Sequence, residues 1–444
     1  MGELQLGVLM FVALFALIFL GIPVSFSLII VAVGFAIPVV GDLTGLQLFR
    51  FLGSVASNYA LAAVPLFIFM GAMLERSGMA ARLFTLMKRW FGWMPGGMAI
   101  ATIAMCTVFA AGTGVVGAVE VMVGLLAIPS MLRERYDRSM ISGVICAGGS
   151  LGTMIPPSIV VIIYASVANQ SVGDLFAGIL VPGIVMVGLF VLYALGYGVF
   201  SGHWREARVM AARERAEADA AGEVRASALA LLPPLILVLS VVGTIMAGIA
   251  AVTEAAAVGA VGAVILNVIY RDFTWANFID ATKKTVLLTS MILLIVVGGT
   301  LFTSVFRLVG GPAMVDAVVT GIELSPIELV LVFLAIVFVL GALLDWVSVV
   351  LIAVPIFLPF LQPAGIDPIW FGVLVIVVIQ TSYLTPPMAP SIFYLRGIAP
   401  PEFTYRDMYL GVIPFVGCQL VVLVLVLAFP GFATALPDYF NSLR

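Results

Sequence analysis

Residues 153–158 read Thr153-Met154-Ile155-Pro156-Pro157-Ser158, and residues 385–390 read Thr385-Pro386-Pro387-Met388-Ala389-Pro390, so a Pro-Pro step occurs twice, 230 positions apart, deep in apolar sequence. Proline has no N–H to donate and its ring clashes with the preceding turn, so each step breaks a helix. In hydrocarbon every freed carbonyl needs a partner, and broken backbone persists only where it is buried or lines a polar cavity. Two such breaks at matching places in two halves of a membrane chain mark a binding site between the halves.

The surrounding composition supports a membrane setting. Hydrophobic residues make up 63% of the 444 and charged residues 10%, against about 45–50% and 25% in soluble domains, and the mean hydropathy is +1.25. Apolar runs recur at about 20 residues, the length that crosses a bilayer. The expected fold is an all-α polytopic membrane protein. The first run, Leu6 to Leu20, follows Met1-Gly2-Glu3 without a basic segment and continues through Gly21-Ile22-Pro23 into a second run. It therefore reads as a retained span rather than a signal peptide. Cys106, Cys146 and Cys418 lack metal-ligand spacing and read as packing residues, and His203 is the single histidine. No nucleophile–base pair, metal cluster or phosphate-cradling glycine loop is present, which argues against an enzyme, and nothing points to nucleic acid.

The pattern predicts ten spans and two hairpins: 5–21, 24–40, 58–75, hairpin 95–131, 139–168, 174–200, 228–250, 252–270, 285–306, hairpin 325–361, 368–395 and 407–430. With both termini outside and each hairpin returning to the side it enters from, all of the 20 Lys and Arg except Arg50, Arg307 and Arg444 fall in the cytoplasm, as the positive-inside rule prefers. Neither hairpin limb is expected to be long enough to span comfortably. The organisation is then scaffold spans in 1–57, a first repeat in 58–201, an Arg/Glu/Ala-rich cytoplasmic arm in 202–226, scaffold spans in 227–284, a second repeat in 285–430 and a tail in 431–444. The arm reads as an amphipathic helix on the headgroups. Glu75 and Arg307, at span ends, read as solvated at the interface.

The repeat rests on more than the prolines. An offset of 230 also aligns Pro129 with Pro359, Asp137 with Asp367 and Tyr164 with Tyr394; with small gaps Gly78 meets Gly310, Asp174 meets Asp407 and Gly178 meets Gly411. Equivalent spans are separated by an odd number of crossings, so the repeat is expected to be inverted. Two re-entrant hairpin tips and two broken helices then converge near the midplane, with unwound carbonyls for cations and helix N-termini for an anion.

At the first tip, Ala111-Gly112-Thr113-Gly114-Val115-Val116-Gly117 permits a sharp turn close to a ligand. Thr113 and Gly114, with the carbonyls of Gly152, Ile155 and Pro157, form a candidate oxygen cage for Na+, since hard cations take oxygen ligands. In the second half, Gly341, Asp345, Ser382, Thr385 and Met388 form the corresponding set. An aspartate at a helix centre costs about 3 kcal/mol on insertion scales, so Asp345 needs a partner or a cavity; the other reading of Asp345 is a helix cap at the turn. Substrate held between tips and breaks would meet Thr113, Gly114, Ser158, Asp345, Gln380 and Thr381. Glu120, on the return limb of the first hairpin, is a weaker candidate that snorkels or pairs.

Ala63-Val64-Pro65-Leu66-Phe67-Ile68-Phe69-Met70-Gly71, Gly149-Ser150-Leu151-Gly152-Thr153-Met154-Ile155-Pro156-Pro157-Ser158, Thr253-Glu254-Ala255-Ala256-Ala257 and Leu384-Thr385-Pro386-Pro387 together resemble the large membrane subunit of TRAP (tripartite ATP-independent periplasmic) transporters. The resemblance covers essentially the whole chain. It implies a sodium-driven importer of organic acids in a bacterial inner membrane, an elevator-type motion, a small membrane subunit of four spans and a soluble periplasmic substrate-binding protein. Many members carry a serine-rich first tip where this chain has Gly112-Thr113-Gly114, and glycine where it has Ser382 and Ala389. Two other classes stay open: a self-sufficient sodium/anion symporter needing no binding protein, and a membrane-embedded enzyme or scaffold.

Overall fold

The computed structural model describes residues 3–76, 79–114, 116–201, 223–311, 313 and 324–442; most of the 202–226 arm, with His203, therefore lies outside the described residues. All regular structure among them is helical, because a helix satisfies its own backbone in hydrocarbon. Seven of the described helices are long and apolar enough to cross a membrane. The shorter apolar helices include Gly97–Gly112, Ile159–Ala168, Trp346–Leu361 and Pro368–Leu384, and each of these four flanks a proposed tip or break.

The first hairpin pairs Gly97–Thr113 with Val116–Arg133, and the second pairs Pro326–Leu343 with Trp346–Leu361. One limb of each runs 18 residues and passes as a span by length and apolarity, about 27 Å at 1.5 Å per residue. The expectation that both limbs fall short is thus corrected. Each hairpin is followed by a broken helix: Arg138–Ser150 with Ile159–Ala168, then Pro368–Leu384 with Pro390–Ile398. A long helix follows each in turn, Val172–Ser201 and Tyr405–Ala428.

The aligned aspartates do the same work in both halves. Asp137 caps the first broken helix by accepting from Met140 N at 2.8 Å, and Asp367 caps the second by accepting from Ile369 N at 2.7 Å and Trp370 N at 2.8 Å. Asp174 N donates to Ser171 Oγ at 3.2 Å, as Asp407 N does to Thr404 Oγ1 at 3.2 Å. Such caps satisfy helix-terminal N–H groups that have no partner within the helix.

The halves interlock through exchanged contacts. The second limb of the first hairpin packs on Pro390–Ile398, and the second limb of the second hairpin packs on Ile159–Ala168. Arg138–Ser150 crosses Tyr405–Ala428 where Gly143 meets Gly411, so closely that a methyl group on Gly143 would overlap the Gly411 carbonyl. Small residues allow such an approach of backbones in a membrane. Farther out, Val24–Val40 packs on Trp275–Leu308 and Ala63–Glu75 on Val252–Ile269. Asn267, fully buried, ties the latter pair by donating to Met73 O at 3.0 Å.

Several elements lie between the expected spans. Thr44–Ala56 forms a helix with Leu46, Phe49 and Leu52 exposed, and Met79–Phe91 forms another that ends on Lys88 and Arg89. Gly431–Ser442 folds as a helix against Val172–Ser201. The two charges read as solvated have protein partners: Lys284 Nζ donates to Glu75 Oε2 at 2.5 Å, and Arg307 donates to Pro355 O at 2.9 Å.

Overpacking a tight contact costs about 1–3 kcal/mol. Gly143→Val should therefore lower the melting temperature of detergent-solubilised protein by several degrees. Gly188→Ala, where an added methyl meets nothing within 4 Å, should leave it unchanged or slightly raised. Equal melting temperatures for the two variants would contradict the Gly143–Gly411 crossing.

Candidate functional site

The first break begins where Arg138–Ser150 tightens into a 3-10 turn, Leu151–Thr153, and ends at Ser158, which precedes Ile159–Ala168. Both Pro-Pro bonds, Pro156-Pro157 and Pro386-Pro387, are cis. Pro156 and Pro157 withhold the donors that a continuous helix would offer to the carbonyls of Gly152 and Thr153. Two hydroxyls repair part of the loss: Ser158 Oγ donates to Thr153 O at 2.8 Å and Thr153 Oγ1 to Ser150 O at 2.9 Å. Leu151 O receives Met154 N and Ile155 N, both at 2.9 Å. Among the described residues, no hydrogen bond reaches the carbonyls of Gly152, Ile155 or Pro157. All of 151–158 is buried. Three buried carbonyl oxygens without donors make a cation-attracting surface, because buried acceptors need a partner and hard cations accept oxygen ligands.

The first tip sits on this surface. Gly114 has φ of +60°, its N–H donates to Ala110 O at 3.0 Å, and a methyl on it would stand 2.7 Å from Pro157 O. Only glycine fits both the left-handed conformation and the approach. A methyl on Gly152 would lie 3.6 Å from Val116 N, so the 3-10 turn faces the start of the return limb. The Thr113 side chain and Val115 lie outside the described residues.

The second tip and break share the plan but not the details. Asp345 caps Trp346–Leu361: it accepts from Val347 N at 3.0 Å, Ser348 N at 3.2 Å and Ser348 Oγ at 2.6 Å. Of the two readings of Asp345, the structure displays the cap. Gly341 packs against Ser382 so closely that a methyl would overlap its hydroxyl. Ser382 Oγ donates to Ile379 O at 2.8 Å and Thr385 Oγ1 to Thr381 O at 2.5 Å, so both hydroxyls turn back along their own helix. Where Ser158 repairs the first break, Met388 stands in the second and supplies no donor. Tyr383 O, four residues before Pro387, receives no hydrogen bond among the described residues. Pro386, Pro387 and Met388 are exposed, Met388 by 48%. The first break is closed and the second open.

Between the breaks lies a wholly buried polar cluster. Gln380 Nε2 donates to Ser150 Oγ at 3.0 Å, and Gln419 Nε2 lies 3.4 Å from the same oxygen. Ser150 and Gln380 are 230 residues apart, so equivalent positions of the repeat meet each other. Gln380, Thr381 and Ser158, expected to face substrate, are each no more than 1% exposed. Thr381 Oγ1 donates to Val377 O at 2.8 Å within its own helix. In this conformation Gln380 ties two helices together, Thr381 and Ser158 bond within their own segments, and all three are buried. Sequence reasoning passed over Ser150 and Gln419, and it undervalued Glu120. That carboxyl is 0% exposed, does not snorkel, and receives the hydroxyl of Ser391 from the other half. An acid within an apolar helix was the available signal. Among the described residues no group of three or more His, Cys, Asp or Glu could hold a metal.

The sequence profile of the family described as tripartite ATP-independent periplasmic transporter, DctM component, matches residues 11–432. A C4-dicarboxylate TRAP transporter large permease protein from Pseudomonas aeruginosa is 32% identical over 393 residues, covering 87% of this chain and 88% of that one. A sialic acid TRAP transporter large permease protein from Vibrio cholerae is 30% identical, with 96% of each chain covered. An ectoine/5-hydroxyectoine TRAP transporter large permease protein from Ruegeria pomeroyi is 32% identical over 96% of this chain and 98% of that one. Among solved structures, the Alcanivorax borkumensis YdaH transporter superposes with a TM-score of 0.65 at 16% identity, covering 89% of this chain and 90% of that one. Neisseria gonorrhoeae MtrF gives 0.62 at 12%, covering 88% and 85%. These two likenesses concern the fold.

The Gly341–Ser382 contact offers a compensation test. Gly341→Ala should destabilise the protein by about 1–3 kcal/mol, and Ser382→Gly in the same chain should restore most of the melting temperature by vacating the overlapped hydroxyl. If the second change restores nothing, the second tip does not rest on Ser382.

Proposed function

The chain belongs to the DctM component family of tripartite ATP-independent periplasmic transporters, and from that premise we propose that it is the transport subunit of a sodium-coupled importer of organic acids fed by a periplasmic substrate-binding protein. It is a multi-span helical membrane protein whose relatives are permeases, not enzymes. The named relatives include carriers of C4-dicarboxylates and of sialic acid, and an organic acid is the substrate class proposed here. The inner membrane, both termini on the periplasmic side, and a small four-span partner subunit complete the reading.

The observation that carries it is the contact of Gly114 with Pro157 above three buried carbonyls that, among the described residues, receive no donor. Na+, as cargo, would sit among the carbonyls of Gly152, Ile155 and Pro157 with Thr113 and Gly114 from the tip. A second Na+ would take oxygens near Gly341, Ser382, Thr385 and Met388, with Asp345 holding the tip in shape through its cap. Because each ion bridges a tip and a break, ion binding favours the closed tips that retain substrate, and the free energies of ion and substrate binding are linked. Thr113, Gly114 and Asp345 would face the substrate at the tips, while Ser158, Gln380 and Thr381 would reach it only as the breaks rearrange. In this reading the halves form an inverted repeat. The hairpins and broken helices move as one body against the outer helices, in the manner of an elevator.

The test is uptake of labelled organic acids into proteoliposomes carrying this chain, its small subunit and its binding protein. Uptake should require an inward sodium gradient. Asp345→Ala and Thr385→Ala should each slow it roughly tenfold, the effect of about 1.4 kcal/mol. Uptake indifferent to sodium would remove the cation sites from the proposal. Uptake without the binding protein would favour the self-sufficient symporter.

A further inference from the structure

Glu120 is unused by the carbonyl sites, yet it is the acid set deepest in the contact between the halves. It lies on the return limb of the first hairpin and is 0% exposed. Ser391, at the start of Pro390–Ile398, holds its hydroxyl within hydrogen-bond reach of Glu120 Oε1. Gly149 of the first broken helix lies against the same side chain, so that a methyl there would stand 2.9 Å from Oε1. Elements of both halves therefore close around one carboxyl.

Among the described residues no positive charge faces it. The titratable groups around it are the thiols of Cys106, from the first limb, and Cys146, from the first broken helix, and the phenols of Tyr383 and Tyr394, from the second broken helix. The basic residue nearest in sequence to Ser391, Arg396, donates to Phe403 O at 2.5 Å and lies 5.5 Å over the Tyr405 ring. Lys88, from the helix beside the first hairpin, lies 3.9 Å from Glu134 beyond the far end of the limb. A charge buried without a counter-charge costs several kcal/mol and is resolved by neutralisation.

The hydrogen bonding supplies a second, independent argument. Ser391 Oγ also lies 3.3 Å from Cys146 O. A hydroxyl has one proton, so it cannot donate to both Glu120 and Cys146. With a proton on Glu120 Oε1 the conflict disappears: the carboxyl donates to Ser391 Oγ, and Ser391 donates to Cys146 O. Oε2, which has no partner among the described residues, is then a carbonyl oxygen rather than half of a bare carboxylate. Solvent is not far. Tyr394, on the turn after Ser391, is 47% exposed, and its ring covers Gly117, one turn before Glu120.

We propose that Glu120 is a proton-binding site of the transporter, neutral while the first hairpin, the first broken helix and the Ser391 helix are packed together, and ionised when they separate. One proton taken from the outer solution would then enter with the substrate and leave to the inner solution, with no other bond made or broken. The proposal rests on the transport reading for its direction, and on the burial and hydrogen bonding of Glu120 for its protonation.

Two measurements decide it. Infrared spectra of purified protein at neutral pH should contain a carboxylic-acid C=O band that Glu120→Gln removes and that Ser391→Ala shifts by deleting its hydrogen-bond partner. In proteoliposomes under a fixed sodium gradient, an acid exterior should speed wild-type uptake severalfold for the organic acid that supports uptake in the preceding test. Whatever rate E120Q retains should ignore the proton gradient. Absence of an E120Q-sensitive acid band overturns the proposal, as does wild-type uptake unaffected by the proton gradient. If the wild type carries no acid at all, the transport reading fails instead, and the infrared band still decides whether Glu120 holds a proton.

Discussion

The structure depends on one constraint: hydrocarbon offers no hydrogen bonds, so each carbonyl released by the Pro-Pro steps must be covered by protein or by an ion. The first break meets this with hydroxyls on two of its carbonyls, burial of the whole segment and a glycine tip laid on Pro157. The tip must bring backbone to within contact of backbone, which explains Gly114 in a left-handed conformation. A hairpin is then the simplest element that can deliver a turn to the interior of a helical bundle. The hairpins, in turn, need surfaces to hold them, and each takes one from the opposite half. Interlocking therefore follows from the need to roof the breaks.

The two halves are not copies in their chemistry. Ser158 gives the first break a hydroxyl where Met388 leaves the second without one, and exposure follows the same division. In the proposed reading, the closed break, whose carbonyls receive no donor among the described residues, is the tighter of the two ion sites, and the open break exchanges with solvent. Ser150 and Gln380 join the breaks at equivalent positions, through a buried hydrogen bond whose loss would strand polar atoms.

Much of this was legible in sequence because it rests on residues with a single physical meaning. Proline cannot donate, so Pro156-Pro157 and Pro386-Pro387 located the breaks. Asp137 and Asp367 aligned at the repeat offset because each caps a broken helix. The illegible part depends on partners distant in the chain. Gln380, read as facing substrate, is hydrogen-bonded to Ser150 from the other half, a partner that no local spacing points to. The helices Thr44–Ala56 and Met79–Phe91 were missed because amphipathic segments among spans differ little in composition from loops carrying a few charges. The limb Val116–Arg133 looked short because glycines and a proline interrupt it, yet Pro129 is accommodated inside the helix.

The contrast between Asp345 and Glu120 states the limit most clearly. From sequence alone Asp345 was the stronger candidate: an acid beside a predicted turn, with Gly341 close by. Its donors are local, Val347 N, Ser348 N and Ser348 Oγ, all supplied by the helix that it begins. An acid at a helix start gains from the unpaired N–H groups and the dipole there, so its burial needs no distant cause. Glu120 begins no helix and has no such donors. Its one hydrogen-bond partner among the described residues, Ser391, comes from 271 residues away, and the titratable groups near it are thiols and phenols. An acid whose surroundings are assembled only when two halves close is one whose proton can follow that closure, whereas a helix cap keeps its donors wherever its helix goes.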